Sequence, residues 1–137
     1  MGRSAVTENT ARLSMTVRAD VSVVADVRRR LKRCLLEWEL ASLAEDAQLL
    51  TSEILTNAIV HTTGCADVTV VVERRARGLR VRVRDADTVH RPVLRVPNPQ
   101  SEVHGRGLHL VAVLSSAWGV EDDLPYKTVW FELDIRP

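Results

Sequence analysis

At 137 residues the chain is long enough for one domain with a core of its own, needing neither disulfides nor a structural metal. Hydrophobic residues make up 45% and charged residues 27%, and no apolar run approaches the roughly 20 residues of a membrane span, which argues against membrane insertion. The formal net charge of +1 supplies no overall field to gather nucleic acid, although Arg28, Arg29, Arg30, Lys32 and Arg33 form a local basic run suited to an acidic protein partner.

From Met1 to Arg12 the sequence is polar and lacks the apolar core of a signal peptide, which predicts no export and a cytoplasmic location. It reads as a flexible N-terminal segment, 1–12, ahead of a domain over 13–137. Leu13 to Val17 alternates apolar and polar as a short strand does, and Asp20 stands where an N-cap would open the next helix. Val24, Val27, Leu31, Leu35 and Trp38 then recur at three- and four-residue steps, predicting a first helix over Val21 to Glu39 with the arginines around its other side. A second helix is predicted from Ala44 to Val60, with Ala47, Leu50, Ile54 and Ala58 as its core stripe and Gly64 beyond its end.

At Asp67 the period changes to two. Val68, Val70 and Val72 face one way, and an Arg77-Gly78 turn leads into Leu79, Val81 and Val83, which together predict a hairpin. Ala86 to His104 holds three prolines and no apolar period, so it reads as a long loop. A short helix after Gly107 carries Leu108, Val111, Ala112 and Leu114. Two strands follow near Trp118 to Glu121 and Lys127 to Ile135, with Val129, Phe131, Leu133 and Ile135 inward. The expected fold is α+β, a two-layer sandwich with three main helices on one face of a mixed, mainly antiparallel sheet.

Glu53, Asn57 and His61 lie at four-residue steps on the second helix and so share one face. A carboxylate beside an amide oxygen suits proton acceptance next to a hard cation, since the amide can ligate Mg²⁺ while that ion keeps most of its waters. On a solvated helix the same pair has no role at all. Asp85 ends the inward row Leu79, Val81, Val83, and a buried carboxylate calls for a dedicated donor such as a base amino group or a backbone amide. A strand-end Asp that caps the following turn is the competing reading. Gly105-Arg106-Gly107-Leu108 opens a helix, where glycines let backbone amides approach a phosphate at the positive terminus. No Walker sequence and no dinucleotide fingerprint is present. Cys34 and Cys65 lack a Cys-x-x-Cys spacing and read as reduced thiols, and His61, Cys65, His90 and His104 follow no zinc-ligand pattern.

In order along the chain, these motifs resemble the GHKL ATPases, the superfamily of gyrase, chaperone and histidine-kinase ATP-binding domains with the Bergerat fold. Glu53-Ile-Leu-Thr-Asn57-Ala58 is similar to their N-box, Asp85 to the acid of their first glycine box, and Gly105-Arg106-Gly107-Leu108 to their second. Trp118-Gly119-Val120 and Lys127-Thr128-Val129-Trp130-Phe131-Glu132-Leu133 resemble the small stand-alone members related to the anti-sigma-factor serine kinases. The resemblance implies ATP and Mg²⁺ as cofactors, Asn57 as the Mg²⁺ ligand and Glu53 as general base. It further implies Asp85 at the adenine amino group, Gly105, Arg106 and Gly107 along the phosphates, and Thr128 near the base. Two departures stand out. Asp85-Ala86-Asp87-Thr88-Val89 lacks both glycines of the family's Asp-x-Gly-x-Gly, and Lys127 shares the inward register of Val129 and Phe131 while Thr128 faces away.

The function so implied is an ATP-dependent protein serine/threonine kinase that binds a sigma factor and phosphorylates an anti-sigma-factor antagonist, with homodimerisation common in the family. The alternative is a nucleotide-weak module that sequesters a sigma factor or antagonist without kinase activity. A third reading, the catalytic fragment of a sensor histidine kinase, lacks the helix pair with a phospho-acceptor histidine that it requires. No direct nucleic-acid or membrane partner is expected.

Overall fold

The computed structural model describes residues 5–8, 11–61, 67–85, 105–123 and 126–135. Six strands, β1 (Ala5–Glu8), β2 (Arg12–Arg18), β3 (Asp67–Arg75), β4 (Gly78–Asp85), β5 (Ala117–Asp123) and β6 (Tyr126–Asp134), form one sheet in the order β1-β2-β3-β4-β6-β5. Three helices, α1 (Val23–Glu37), α2 (Ala44–His61) and α3 (Gly105–Leu114), make the second layer, with a 3₁₀ turn over Ala41–Leu43 leading into α2. Every described strand pairing is antiparallel, which corrects the expected mixed sheet. The reason lies in the β5–β6 hairpin: it returns with β6 inserted against β4, so the crossover through α3 joins strands that are not neighbours.

Period-two patterning sends one row of each strand into the core. Leu13, Met15 and Val17 of β2, Val68, Val70 and Val72 of β3, Leu79, Val81 and Val83 of β4, and Phe131 and Leu133 of β6 are all buried. They meet Val27, Leu31, Leu35 and Trp38 from α1 and Ala47, Leu50, Ile54, Leu55 and Ala58 from α2. Burial of these side chains is the main term holding the layers together, at roughly 1.5–3 kcal/mol for each large aliphatic or aromatic residue. α1 packs over β2, α2 over β3 and β4, and α3 against α2 and β5.

Charge covers the solvent face of the sheet. Glu132 takes Arg75 at 2.5 Å and Arg80 at 2.6 Å, Glu73 takes Arg82 at 2.7 Å, and the Arg80 and Arg84 guanidinium groups lie 5.2 and 3.8 Å from the ring centroids of Trp130 and Tyr126. Exposed pairs of this kind contribute little individually, but the two cation–π contacts flatten the arginines over the β4–β6 seam. Two glycines allow close approach to β6, Gly78 from β4 on one side and Gly119 from β5 on the other. A Cβ at Gly78 would stand 1.8 Å from the Leu133 carbonyl oxygen, and one at Gly119 would meet the Trp130 indole at 2.9 Å.

Several local expectations change. Asp20 is not the N-cap of α1; Ser22 is, while Asp20 accepts the Ser22 amide at 3.0 Å in the turn before it. That bond holds the Asp20 carboxyl below its usual range, first through the Ser22 backbone amide and then through the Ser22 side chain. The β3–β4 turn is Ala76-Arg77, with Gly78 already paired to Arg75. Ile135 is 41% exposed rather than inward, because β6 ends at Asp134 and the Ile135 amide turns back to the Arg77 carbonyl. Ala5–Glu8, part of the segment read as preceding the domain, pairs with Leu13–Thr16 and forms one edge of the sheet.

Candidate functional site

Asp85 is 2% exposed at the last position of β4, in the inward row as its register predicts. Its cross-strand partner is Lys127 near the start of β6, itself 4% exposed, with Nζ 3.9 Å from Oδ1. Lys127 pairs on its other side with Asp122 of β5, so Asp85, Lys127 and Asp122 form one row across three strands. Thr128 lies in the alternate register, opposite Arg84 and Glu121, and is therefore on the sheet face away from Asp85. The structure brings Lys127 to the acid and leaves Thr128 outside the site.

Glu53 and Asn57 are both half-buried on α2, at the margin of its apolar face. Their direction follows from the helix period. Gln48 donates to the Arg28 carbonyl of α1 at 3.1 Å, which marks the flank of α2 turned toward α1. Asn57, nine residues on, is rotated by about 180° from Gln48 and so occupies the opposite flank, where α3 packs. Glu53 stands one turn before it, farther toward solvent. α2 ends at His61, and β3 begins at Asp67 on the end of the sheet where β4 finishes with Asp85 and β6 starts. The amide-bearing end of α2 and the acid–lysine pair thus share one end of the molecule.

Gly105, Arg106 and Gly107 form the first turn of α3, which runs for ten residues and leads into β5. Gly64, Cys65, Asp87, Thr88, Val89, His90 and His104 lie outside the described residues. Among the described residues no three His, Cys, Asp or Glu side chains converge. Mg²⁺ favours few protein ligands, with phosphate oxygens and waters completing its shell. Asn57 fits that role as a half-buried neutral oxygen ligand, and Asp85 fits an amino-bearing base as a buried acceptor. When bound, ATP would supply the transferable phosphoryl group and Mg²⁺ would neutralise charge developing on it.

A sheet backed by three helices, with an acid at the inner end of a central strand and an amide on the middle helix turned toward the third, is the architecture of the Bergerat-type ATP-binding sandwich. The chain belongs to the histidine kinase-like ATPase domain family, whose model matches residues 17–132, from β2 through most of β6. No curated protein matches the chain. Among the described residues no helix is long and apolar enough to cross a membrane.

Lys127 lies outside the N-box and both glycine boxes, yet it stands beside the acid. Its signal was present in the sequence, because strand alternation puts the lysine and not the threonine in the inward row, and a lysine there needs an anion. Asp122 was equally legible once β5 and β6 are read as a hairpin.

Proposed function

We propose that the chain is an ATP- and Mg²⁺-dependent protein serine/threonine kinase that acts as an anti-sigma factor, phosphorylating an anti-sigma-factor antagonist in a partner-switching circuit. The observation that carries the reading is Asp85, a carboxylate buried at the end of β4 on the side of the sheet where α2 presents Asn57 toward α3. In this reading Asp85 accepts the adenine amino group, Asn57 offers its amide oxygen to Mg²⁺, and the first turn of α3 directs backbone N–H groups at the phosphates. Glu53 accepts the proton of the attacking serine hydroxyl, and the rest of catalysis is positioning and charge neutralisation. Membership of an ATPase domain family supports the nucleotide, and the closing-strand motifs support the anti-sigma branch. Exposed Arg28, Arg29, Lys32 and Arg33 on α1 offer a basic face to an acidic partner.

The Asp85–Lys127 pair favours a second reading, because an ammonium at 3.9 Å competes with a base amino group for the carboxylate. There the chain is a nucleotide-weak module that holds a sigma factor or antagonist. Titration calorimetry with ATP and Mg²⁺ on wild type and on Asp85→Asn separates the two. Micromolar binding lost in a folded Asp85→Asn variant supports the kinase, and phosphoryl transfer that disappears in Glu53→Gln with ATP binding kept would assign the base. A wild type that binds no ATP refutes the kinase and leaves the protein-binding module.

A further inference from the structure

We propose that Lys127 reads the nucleobase together with Asp85, and that the pair admits guanine nucleotides as well as adenine nucleotides. This rests on the reading of Asp85 as the base acceptor. A carboxylate alone can only accept hydrogen bonds, so it suits the 6-amino group of adenine and opposes the 6-keto oxygen of guanine, where two acceptors would face each other. Lys127 changes that balance. Its ammonium has three donors and no acceptor, lies in register with Asp85 across the β4–β6 seam, and is almost as deeply buried. A donor and an acceptor therefore stand side by side, with Nζ and Oδ1 3.9 Å apart, close enough to meet neighbouring atoms on one edge of a purine.

Either base can be satisfied by that pair. With adenine, Asp85 accepts from the 6-amino group and Lys127 donates to ring N1. With guanine, the two carboxylate oxygens accept from N1–H and the 2-amino group, and Lys127 donates to O6. Asp122, exposed and in register on the far side of Lys127, places a second acid on the neighbouring strand. On that edge neither purine sets donor against donor or acceptor against acceptor, which is the condition for a buried pair to accept both comparably.

The test is calorimetry with Mg²⁺ and ATP, GTP or ITP on the wild type, Lys127→Met and Lys127→Arg, each checked for folding by circular dichroism. Wild type is expected to bind GTP within about tenfold of ATP. ITP, which keeps O6 and N1–H but lacks the 2-amino group, is expected to bind more weakly than GTP. Lys127→Met should weaken GTP by at least about tenfold more than ATP, since O6 is left unpaired, and Lys127→Arg should retain GTP. The three nucleotides on wild type decide the matter even if Lys127→Met does not fold. ATP binding without GTP or ITP binding, or a GTP-to-ATP ratio unchanged by Lys127→Met, overturns the role of Lys127 and leaves the nucleotide site standing. Absence of binding by all three overturns both.

Discussion

Breaking the Asp85–Lys127 pair from either side should destabilise the fold unequally, and removing both members together should restore most of the loss. At 3.9 Å two unit charges attract by about 4 kcal/mol at an effective dielectric constant near 20, and that attraction offsets the desolvation of two groups that are almost fully buried. Lys127→Met removes the cross-strand cation from beside the buried Asp85 carboxylate and is expected to cost about 3 kcal/mol, the lower end of the range for breaking a buried pair. Asp85→Leu should cost less, because the flexible lysine stem can carry its ammonium toward solvent and the exposed Asp122 on the neighbouring strand. The double variant, apolar on both sides of the seam, should return to within about 2 kcal/mol of wild type, giving a coupling energy of about 3 kcal/mol. Urea unfolding of the four proteins followed by circular dichroism at pH 7 measures the cycle. Repeating it in high salt should change the coupling little, since a pair this deep is weakly screened. Additive single losses, or a Lys127→Met cost below about 1 kcal/mol, would refute the account of the pair as a buried, energetically coupled unit.

Thr51 is fully buried on α2 and its hydroxyl has no hydrogen-bond partner among the described residues, so Thr51→Val should raise unfolding stability by about 1 kcal/mol, read as a shift in the urea midpoint at constant slope. Glu39 has φ 59° just after α1, where the Leu40 amide reaches back to the Leu35 carbonyl at 2.8 Å; Glu39→Gly should stabilise by about 1 kcal/mol in the same assay, by relieving the left-handed backbone. The Asp20 carboxyl is held below its unfolded value of 3.8 by the Ser22 amide. Its contribution is therefore present above that value and fades as pH falls through the lowered one. The stability difference between wild type and Asp20→Ala should be flat from pH 7 to 5 and shrink in more acidic buffers.

The helices and the hairpin were legible because each shows one unbroken period. Ala47, Leu50, Ile54 and Ala58 give the α2 stripe, and Val68 to Val83 alternate through both strands with a tight turn between them. The inward placement of Asp85 followed from the same alternation. β1 was not legible, since Ala5-Val6-Thr7-Glu8 is too short to show a period and becomes a strand only by pairing with β2. Ser22 displaced Asp20 as N-cap because the Asx turn adds two residues that composition does not reveal. Motif order points to Thr128, whereas the β6 register sets Lys127 opposite Asp85. Pairing between distant strands decides such positions, and a pattern read along one strand supplies only half of it.

The position of β6 has a consequence for biosynthesis. It is the last described element to leave the ribosome, yet it occupies an interior place between β4 and β5. Until it emerges, β4 presents an open edge, Asp85 has no lysine beside it, and β5 has no strand to pair with. The candidate site is therefore assembled only once β6 has emerged, and a nascent chain halted before Tyr126 holds its acid and its amide but not the lysine that pairs with Asp85.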